Sequence, residues 1–488
     1  MNESQKRLCI VCIAFVLCCF TILKPVHIDE ANFLMLTQGS FLYPHNVLVN
    51  WQGTTERAFD VLSNPAGIAW ILWPFKDLDP MWMRISMLPW FLLMLYGVER
   101  LGQVFSDSRW FFVYLTLFSP VVLVCFGSLT PDIPLMATYI AGISGVCISR
   151  DWKWALLAGS SVFFRYSGLT VIPLILVWSL IFGHIRTGIK LTLVSCIPFI
   201  ILTCHDIWAY GQSHFVHMIT FQGLESSPLL PKLMSIFAML GGAVVLPLFS
   251  FDRQGMISFF ASLGFSIGVF SLTNQWSDVF WVLSGFFIVL NTVRLNSKRD
   301  VFLFIWMLGG VIFLSQLRFT AARYWLPFFF PLLLVLIQGK KFRAKLILLC
   351  TTSILSIFLL IDDYCFAVAH RDAALRVQQK YKSGVFAGHW GWQHYLQGEN
   401  WRPAEDDMIL PQNIIFASIN TAWPQEVQGC KILIEEFSLP SFLLPRVHTY
   451  QGKANIHSSH IHDLGMVFSP WSFGQDPYVH VQLFRTCP

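Results

Sequence analysis

The chain has 488 residues, of which 55% are hydrophobic, 16% aromatic and only 12% charged, where an ordinary soluble domain carries about 25% charge. That balance excludes a soluble enzyme, a disordered chain and a coiled coil, and a net charge of +5 gives no reason to expect nucleic acid as a partner. Apolar runs of about 16 to 22 residues, the length that crosses a bilayer, recur along it, so the sequence reads as a polytopic membrane protein in contact with membrane lipids.

The first run, Leu8 to Leu23, follows Lys6 and Arg7, and no small-residue cleavage site comes after it, so it reads as an uncleaved helix. Twelve further runs lie near 82–98, 110–129, 133–149, 154–164, 168–182, 190–205, 231–250, 255–272, 277–293, 301–316, 325–338 and 346–361. If the N-terminus is cytoplasmic, the internal loops carry Arg100, Arg109, Arg150, Arg186, Arg253, Arg294, Lys340, Arg343 and Lys345. The external loops carry Asp29, Glu30, Asp60, Asp132, Asp206, Glu225 and Asp278. Basic residues inside and acids outside make this topology self-consistent. The stretch 154–182 reads either as one long helix or as two spans meeting at Arg165-Tyr166-Ser167-Gly168. Two spans are favoured, because one helix would hold Arg165 near mid-membrane at about 3 kcal/mol or more.

The first external loop, 24–81, holds two short apolar pieces, ANFLMLTQGSFLYP and NPAGIAWILWPF, expected to lie in the membrane interface. After the last span the composition changes. Residues 1–361 therefore form the membrane domain and 362–488 an external soluble domain, with a helix over Ala367 to Tyr381 and strand-like pieces GVFAG, NIIFASI and KILIEEF. An α/β or α+β module is expected there. Nine of the twelve cysteines sit in or beside spans; Cys365, Cys430 and Cys487 are external, and Cys430 with Cys487 is a candidate disulfide. No internal repeat, dinucleotide fingerprint or P-loop is present.

The strongest chemical feature is His27-Ile28-Asp29-Glu30, an acidic pair just beyond the first span. A carboxylate fixed there can take a proton from an acceptor hydroxyl; equally, Asp29 can simply cap the helix that begins at Glu30. Asp132, in Thr130-Pro131-Asp132-Ile133-Pro134, opens the fourth span on the same face and admits the same two readings. Arg84, Arg165, Arg318 and Arg323 are external cations, suited to bidentate phosphate binding or to snorkelling among lipid headgroups. Arg165 and Arg323 are each followed by a tyrosine, Tyr166 and Tyr324.

Taken in order, Asp29-Glu30, Asn64-Pro65-Ala66-Gly67, Asp132-Ile133-Pro134-Leu135, Arg165 and Arg323-Tyr324-Trp325-Leu326-Pro327 resemble the polyprenyl-phosphate-sugar-dependent glycosyltransferases of the GT-C fold, such as protein O-mannosyltransferases and lipid A aminoarabinose transferases. The resemblance covers roughly residues 8 to 340. It implies a GT-C-like, all-α membrane protein of about thirteen helices with a small external domain. It also implies a donor of polyprenyl-phosphate sugar, an acceptor that is a glycan, lipid or protein, and an active site on the external, periplasmic side of a bacterial inner membrane. By position, Asp29, Glu30 and Asp132 would be the catalytic acids, while Arg165, Arg323 and Tyr324 would hold the donor phosphate. Phe33, Asn64 and Arg165 stand where the family more often has Tyr, Lys or Pro, and Lys, which leaves the substrate open. A divalent cation on the acids fits this chemistry, although no compact metal motif demands one.

Three clusters stand apart from these motifs. His457-Ser458-Ser459-His460-Ile461-His462-Asp463 and His214-Phe215-Val216-His217 offer imidazoles for a metal or are ordinary turns. Gly388-His389-Trp390-Gly391-Trp392-Gln393-His394-Tyr395 either covers a sugar or packs as a structural turn. The rival functions are a transporter or lipid flippase, and an oligosaccharide ligase or polymerase using a lipid diphosphate. A transporter would place its ionisable residues on broken helices at mid-membrane.

Overall fold

The computed structural model describes residues 2–488 apart from 52, 223–228, 245–257, 268–275, 294, 318, 399, 423, 443, 450–453, 458 and 461–468. Arg318, and the His462-Asp463 end of the histidine cluster, therefore lie outside the described residues. So do Arg253, Arg294 and Glu225 and parts of the 231–250 and 255–272 runs.

Each of the thirteen expected runs contains a helix. The described residues hold five helices long and apolar enough to cross a membrane, Glu3–Ile22, Pro80–Phe105, Asp132–Ser149, Ile185–Tyr210 and Phe342–Lys380. Arg109–Leu117 and Pro120–Phe126, bent by 55° at the break between them, are together long and apolar enough to count as a sixth if the pair is one span. Pro120 has no N–H for the preceding turn and its ring clashes there, which places the bend. Other apolar helices are shorter, among them Tyr166–Phe182, Leu229–Ala243, Ser258–Ile267 and Val279–Asn291, while Lys298–Ser315 has 18 residues but opens on three charges. Among the described residues, several of the expected runs are thus shorter helices, and the 110–129 and 154–182 stretches are broken by turns within one apolar stretch.

The 154–182 stretch is one of these. A helix over Trp152–Gly159 tightens into a 3-10 turn at Ser160–Phe163, Arg165 adopts an extended backbone (φ −153°, ψ 148°), and a second helix runs over Val171–Phe182. The break frees the Arg165 side chain to reach a carboxylate. Close helix contact elsewhere depends on small residues. A Cβ at Gly97 would collide with the backbone of Ala141, and one at Gly142 with Ala158.

The two ends of the bundle differ in chemistry. At one end Arg7 Nη2 lies 2.8 Å from Glu99 Oε1, Arg109 pairs with Glu3, and Lys345 donates to Ser108. At the other end of the first helix lie Lys24, His27, Asp29 and Glu30, all buried. The amphipathic pieces of the 24–81 loop are helical, at Glu30–Gln38 and Gly67–Leu72, but the first does not lie flat on a membrane surface. Seven of its nine residues are buried, and it packs against Gly67–Leu72 and against Trp390–Leu396 of the C-terminal region. Protein, not lipid, covers it on the sides an interfacial helix would expose.

Phe342–Lys380 is one uninterrupted helix of 39 residues, so residue 361 lies within it and the expected 367–381 helix is its continuation. Beyond it a five-stranded mixed sheet has the order Trp401–Pro403, Gly384–Ala387, Ile415–Ile419, Val479–Thr486, Lys431–Leu439. The first two neighbouring pairs are parallel and the last two antiparallel. All three expected strand-like pieces are strands. Cys430 and Cys487 form a disulfide next to the pairing of the last two strands, and Cys487 N–H donates to Cys430 O at 3.1 Å.

In the first external loop, burial drives the pKa of His45 down to about 4, even though the Asn64 carbonyl, 3.1 Å from its Nε2, favours the charged form. An unfolded histidine titrates near 6.5, so the neutral ring's contribution to stability is complete above pH 6.5 and is lost as pH falls toward 4. Thermal denaturation of the detergent-solubilised protein is expected to show stability declining over that window, by up to about 1.4 kcal/mol per pH unit from this group. His45→Gln, which cannot titrate, should flatten the decline.

Candidate active site

Asp29 sits at the turn between the first helix and Glu30–Gln38. The residue before it, Ile28, has φ 49°, a left-handed conformation that a β-branched side chain seldom adopts. Asp29 occupies the cap position of the helix but its side chain makes no capping bond. Instead Arg323 Nη2 donates to Asp29 Oδ2 at 2.5 Å. Arg323 is presented by a single 3-10 turn, Ala322–Trp325, and its neighbour Asp29 keeps its guanidinium firmly charged against the effect of burial.

Asp132 is the first residue of its helix, after Pro131, and its carboxylate also turns away from capping. Arg165 Nε stands 2.9 Å from Asp132 Oδ1, and Arg165 Nη2 donates to Oδ2 at 3.3 Å. Tyr324 links the two ion pairs. Its ring centroid lies 5.3 Å from the Arg165 guanidinium carbon and 5.8 Å from that of Arg323. Two carboxylates, two arginines and one aromatic ring, with Asp29 and Arg323 294 residues apart in sequence, therefore meet at one end of the bundle. None of the four charged groups is more than 8% exposed, so each depends on its partner rather than on water. Arg165, expected at the external surface, is inside the protein.

Glu30 stands beside this group with a different set of partners. Arg84 Nη2 donates to both its oxygens at 3.0 and 2.8 Å, Leu129 N–H donates to Oε1 at 2.6 Å, and His27 N–H donates to Oε2 at 2.7 Å. Glu30 is fully buried, and four hydrogen bonds tie the acidic turn to the second span and to the approach of Asp132.

A second buried cluster escaped sequence reasoning. Lys24 pairs with Asp363 and donates to Ser128 Oγ at 3.0 Å, while His457 Nε2 lies 2.9 Å from Asp363 Oδ1. The signal was a run of two acids, Asp362-Asp363, at the end of the last span, which reads as a return to solvent. Both are buried, and Asp362 accepts from Tyr478 and from Val447 N–H.

The other singled-out motifs are structural in what they touch. His214 bonds Tyr166 through Nδ1 at 2.7 Å and the Leu62 carbonyl through Nε2 at 3.0 Å, which leaves no lone pair for a metal. The 388–395 motif forms the helix Trp390–Leu396 and grips the turn after the first span. Val26 N–H donates to Tyr395 Oη at 2.9 Å, and Trp392 Nε1 donates to the Ala387 carbonyl at 3.1 Å.

No protein-family model and no curated protein matches the sequence. Solved structures of similar fold include two membrane enzymes. The arabinofuranosyltransferase AftD from Mycobacteria superposes on all of this chain with a TM-score of 0.46 and 12% identity, and this chain spans only 40% of that protein. ArnT from Cupriavidus metallidurans, solved bound to undecaprenyl phosphate, covers 86% of this chain and is itself covered over 94%, with a TM-score of 0.43 and 14% identity.

Proposed function

We propose that this protein is an inverting glycosyltransferase that moves a sugar from a polyprenyl-phosphate donor onto an acceptor at the external face of the membrane. The observation that carries the reading is the meeting of the pairs Asp29–Arg323 and Asp132–Arg165 around Tyr324. A lipid phosphate offers what two buried arginines bind best, and a carboxylate beside them is where a base is needed. The resemblance of the sequence motifs to GT-C enzymes supports the same donor.

Asp29 would accept the proton of the acceptor hydroxyl, whose oxygen attacks the anomeric carbon opposite the lipid phosphate; the C–O bond to phosphate breaks and the configuration inverts. The departing phosphate carries its own charge and needs no general acid once Arg165 and Arg323 hold it. Before donor binds, each arginine rests on a carboxylate. Arrival of the phosphate would draw Arg323 off Asp29, so the base is released only when the leaving group is in place. Asp132 would orient Arg165, and Glu30 would fix the turn that carries Asp29.

The test is transfer by the purified protein in vesicles, supplied with a polyprenyl-phosphate sugar radiolabelled in the sugar. The label is expected to leave the lipid and appear in acceptor, with free polyprenyl phosphate formed in equal amount. Label crossing sealed vesicles with no product would instead establish a transporter. Release of a lipid diphosphate with a chain of sugars transferred would point to the ligase reading.

A further inference from the structure

We propose that His27, Asp363 and His457 form a binding site for a divalent transition-metal ion of the zinc class, separate from the carboxylates of the candidate active site. One ligand atom from each of the three lies within 4.8 Å of the others, and all three residues are buried. They come from far apart in the chain: the turn after the first helix, the external part of the long helix and the C-terminal region.

A simpler reading would be that Lys24 neutralises Asp363 and His457 completes the pairing. That accounts for both oxygens of Asp363, because Lys24 takes Oδ2 and His457 Nε2 lies 2.9 Å from Oδ1. It leaves His27 without a role. His27 is 1% exposed, its Nε2 lies 4.0 Å from Asp363 Oδ1, and neither of its ring nitrogens has a hydrogen-bond partner among the described residues. A buried imidazole with both nitrogens unsatisfied is costly unless a lone pair is used.

Two imidazoles and a carboxylate are a donor set that Zn²⁺ accepts while keeping a fourth position. Tetrahedral ligand atoms at zinc distances sit roughly 3.3 Å apart, so His27 would have to close on Asp363 from 4.0 Å while the His457–Asp363 pair opens from 2.9 Å. His370 Nδ1 donates to the Phe366 carbonyl at 2.9 Å, which leaves its Nε2 as an acceptor with no partner among the described residues. Its ring centroid lies 5.4 Å from that of His27. The fourth ligand is this nitrogen or a water. The ion pins the turn that carries Asp29 to the long helix and to the C-terminal region, and the site's existence does not depend on the sugar-transfer reading.

The test uses the full-length, tag-free protein in detergent, loaded with zinc chloride alone and dialysed. Elemental analysis is expected to find about one zinc per chain. His457→Gln and His27→Gln should each lower zinc affinity at least tenfold, and zinc should raise the thermal midpoint of wild type but not of either variant. Asp29→Asn should retain zinc. Cobalt(II) in place of zinc should give the visible bands of a tetrahedral nitrogen and oxygen site. No retained zinc in wild type, or zinc lost from Asp29→Asn but kept in His457→Gln, would overturn the assignment.

Discussion

Asp29→Asn is expected to lower sugar transfer by about 10²- to 10⁴-fold while leaving donor binding within a few-fold of wild type. The substitution is nearly isosteric, and the carbonyl oxygen of the new side-chain amide can still accept from Arg323, so the pair that holds the 3-10 turn survives as a hydrogen bond to a neutral acceptor. What disappears is the base. The effect should therefore fall on turnover, with little change in the donor concentration giving half-maximal rate. Asp29→Glu separates base from geometry: it keeps the carboxylate but moves it by a methylene within a buried pair, and should retain measurable activity. Unchanged turnover in Asp29→Asn at normal protein levels would remove Asp29 as the base.

Glu30→Ala is expected to be the most damaging single change to folding in this region. It strips Arg84 of its carboxylate inside the protein and leaves the Leu129 and His27 amides without acceptors. Breaking a buried ion pair by removing one partner costs about 3 to 5 kcal/mol, and each unsatisfied amide adds roughly 1 to 3 more. The protein should be recovered in low yield, with a markedly lower thermal midpoint in detergent. Glu30→Gln, which keeps the oxygen acceptor but not the charge, should recover part of the loss. If Glu30 were instead the base, Glu30→Gln would fold normally and be inactive, and Asp29→Asn would transfer sugar.

Much of this arrangement was legible because charge is scarce in an apolar chain. Asp29, Asp132, Arg165, Arg323 and Tyr324 stand out as polar residues at the ends of apolar runs, and the structure brings all five together. The pairing was not legible. Spacing alone made Asp29 and Asp132 equally good helix caps; in three dimensions neither side chain makes a capping bond, and each faces an arginine instead. The local strands of the C-terminal region were readable from their β-branched and aromatic runs. Its last strand, Val479–Thr486, carries the same kind of signal, since VHVQLFRT alternates apolar and polar residues as a half-buried strand does. The sequence singled out His457, but its joining to Lys24 and Asp363 was not legible, for a related reason. Sequence reasoning sends charges at a span end into water, and here the C-terminal region covers them.

The long helix Phe342–Lys380 extends about 58 Å at 1.5 Å per residue, nearly twice the roughly 30 Å of hydrocarbon it must cross. What projects from the membrane is thus a stiff continuation of a spanning rod, not a tether. Just past that rod, Trp390–Leu396 packs on Glu30–Gln38 and Tyr395 holds the Val26 amide, so the C-terminal region is braced both on the rod and on the turn that carries Asp29.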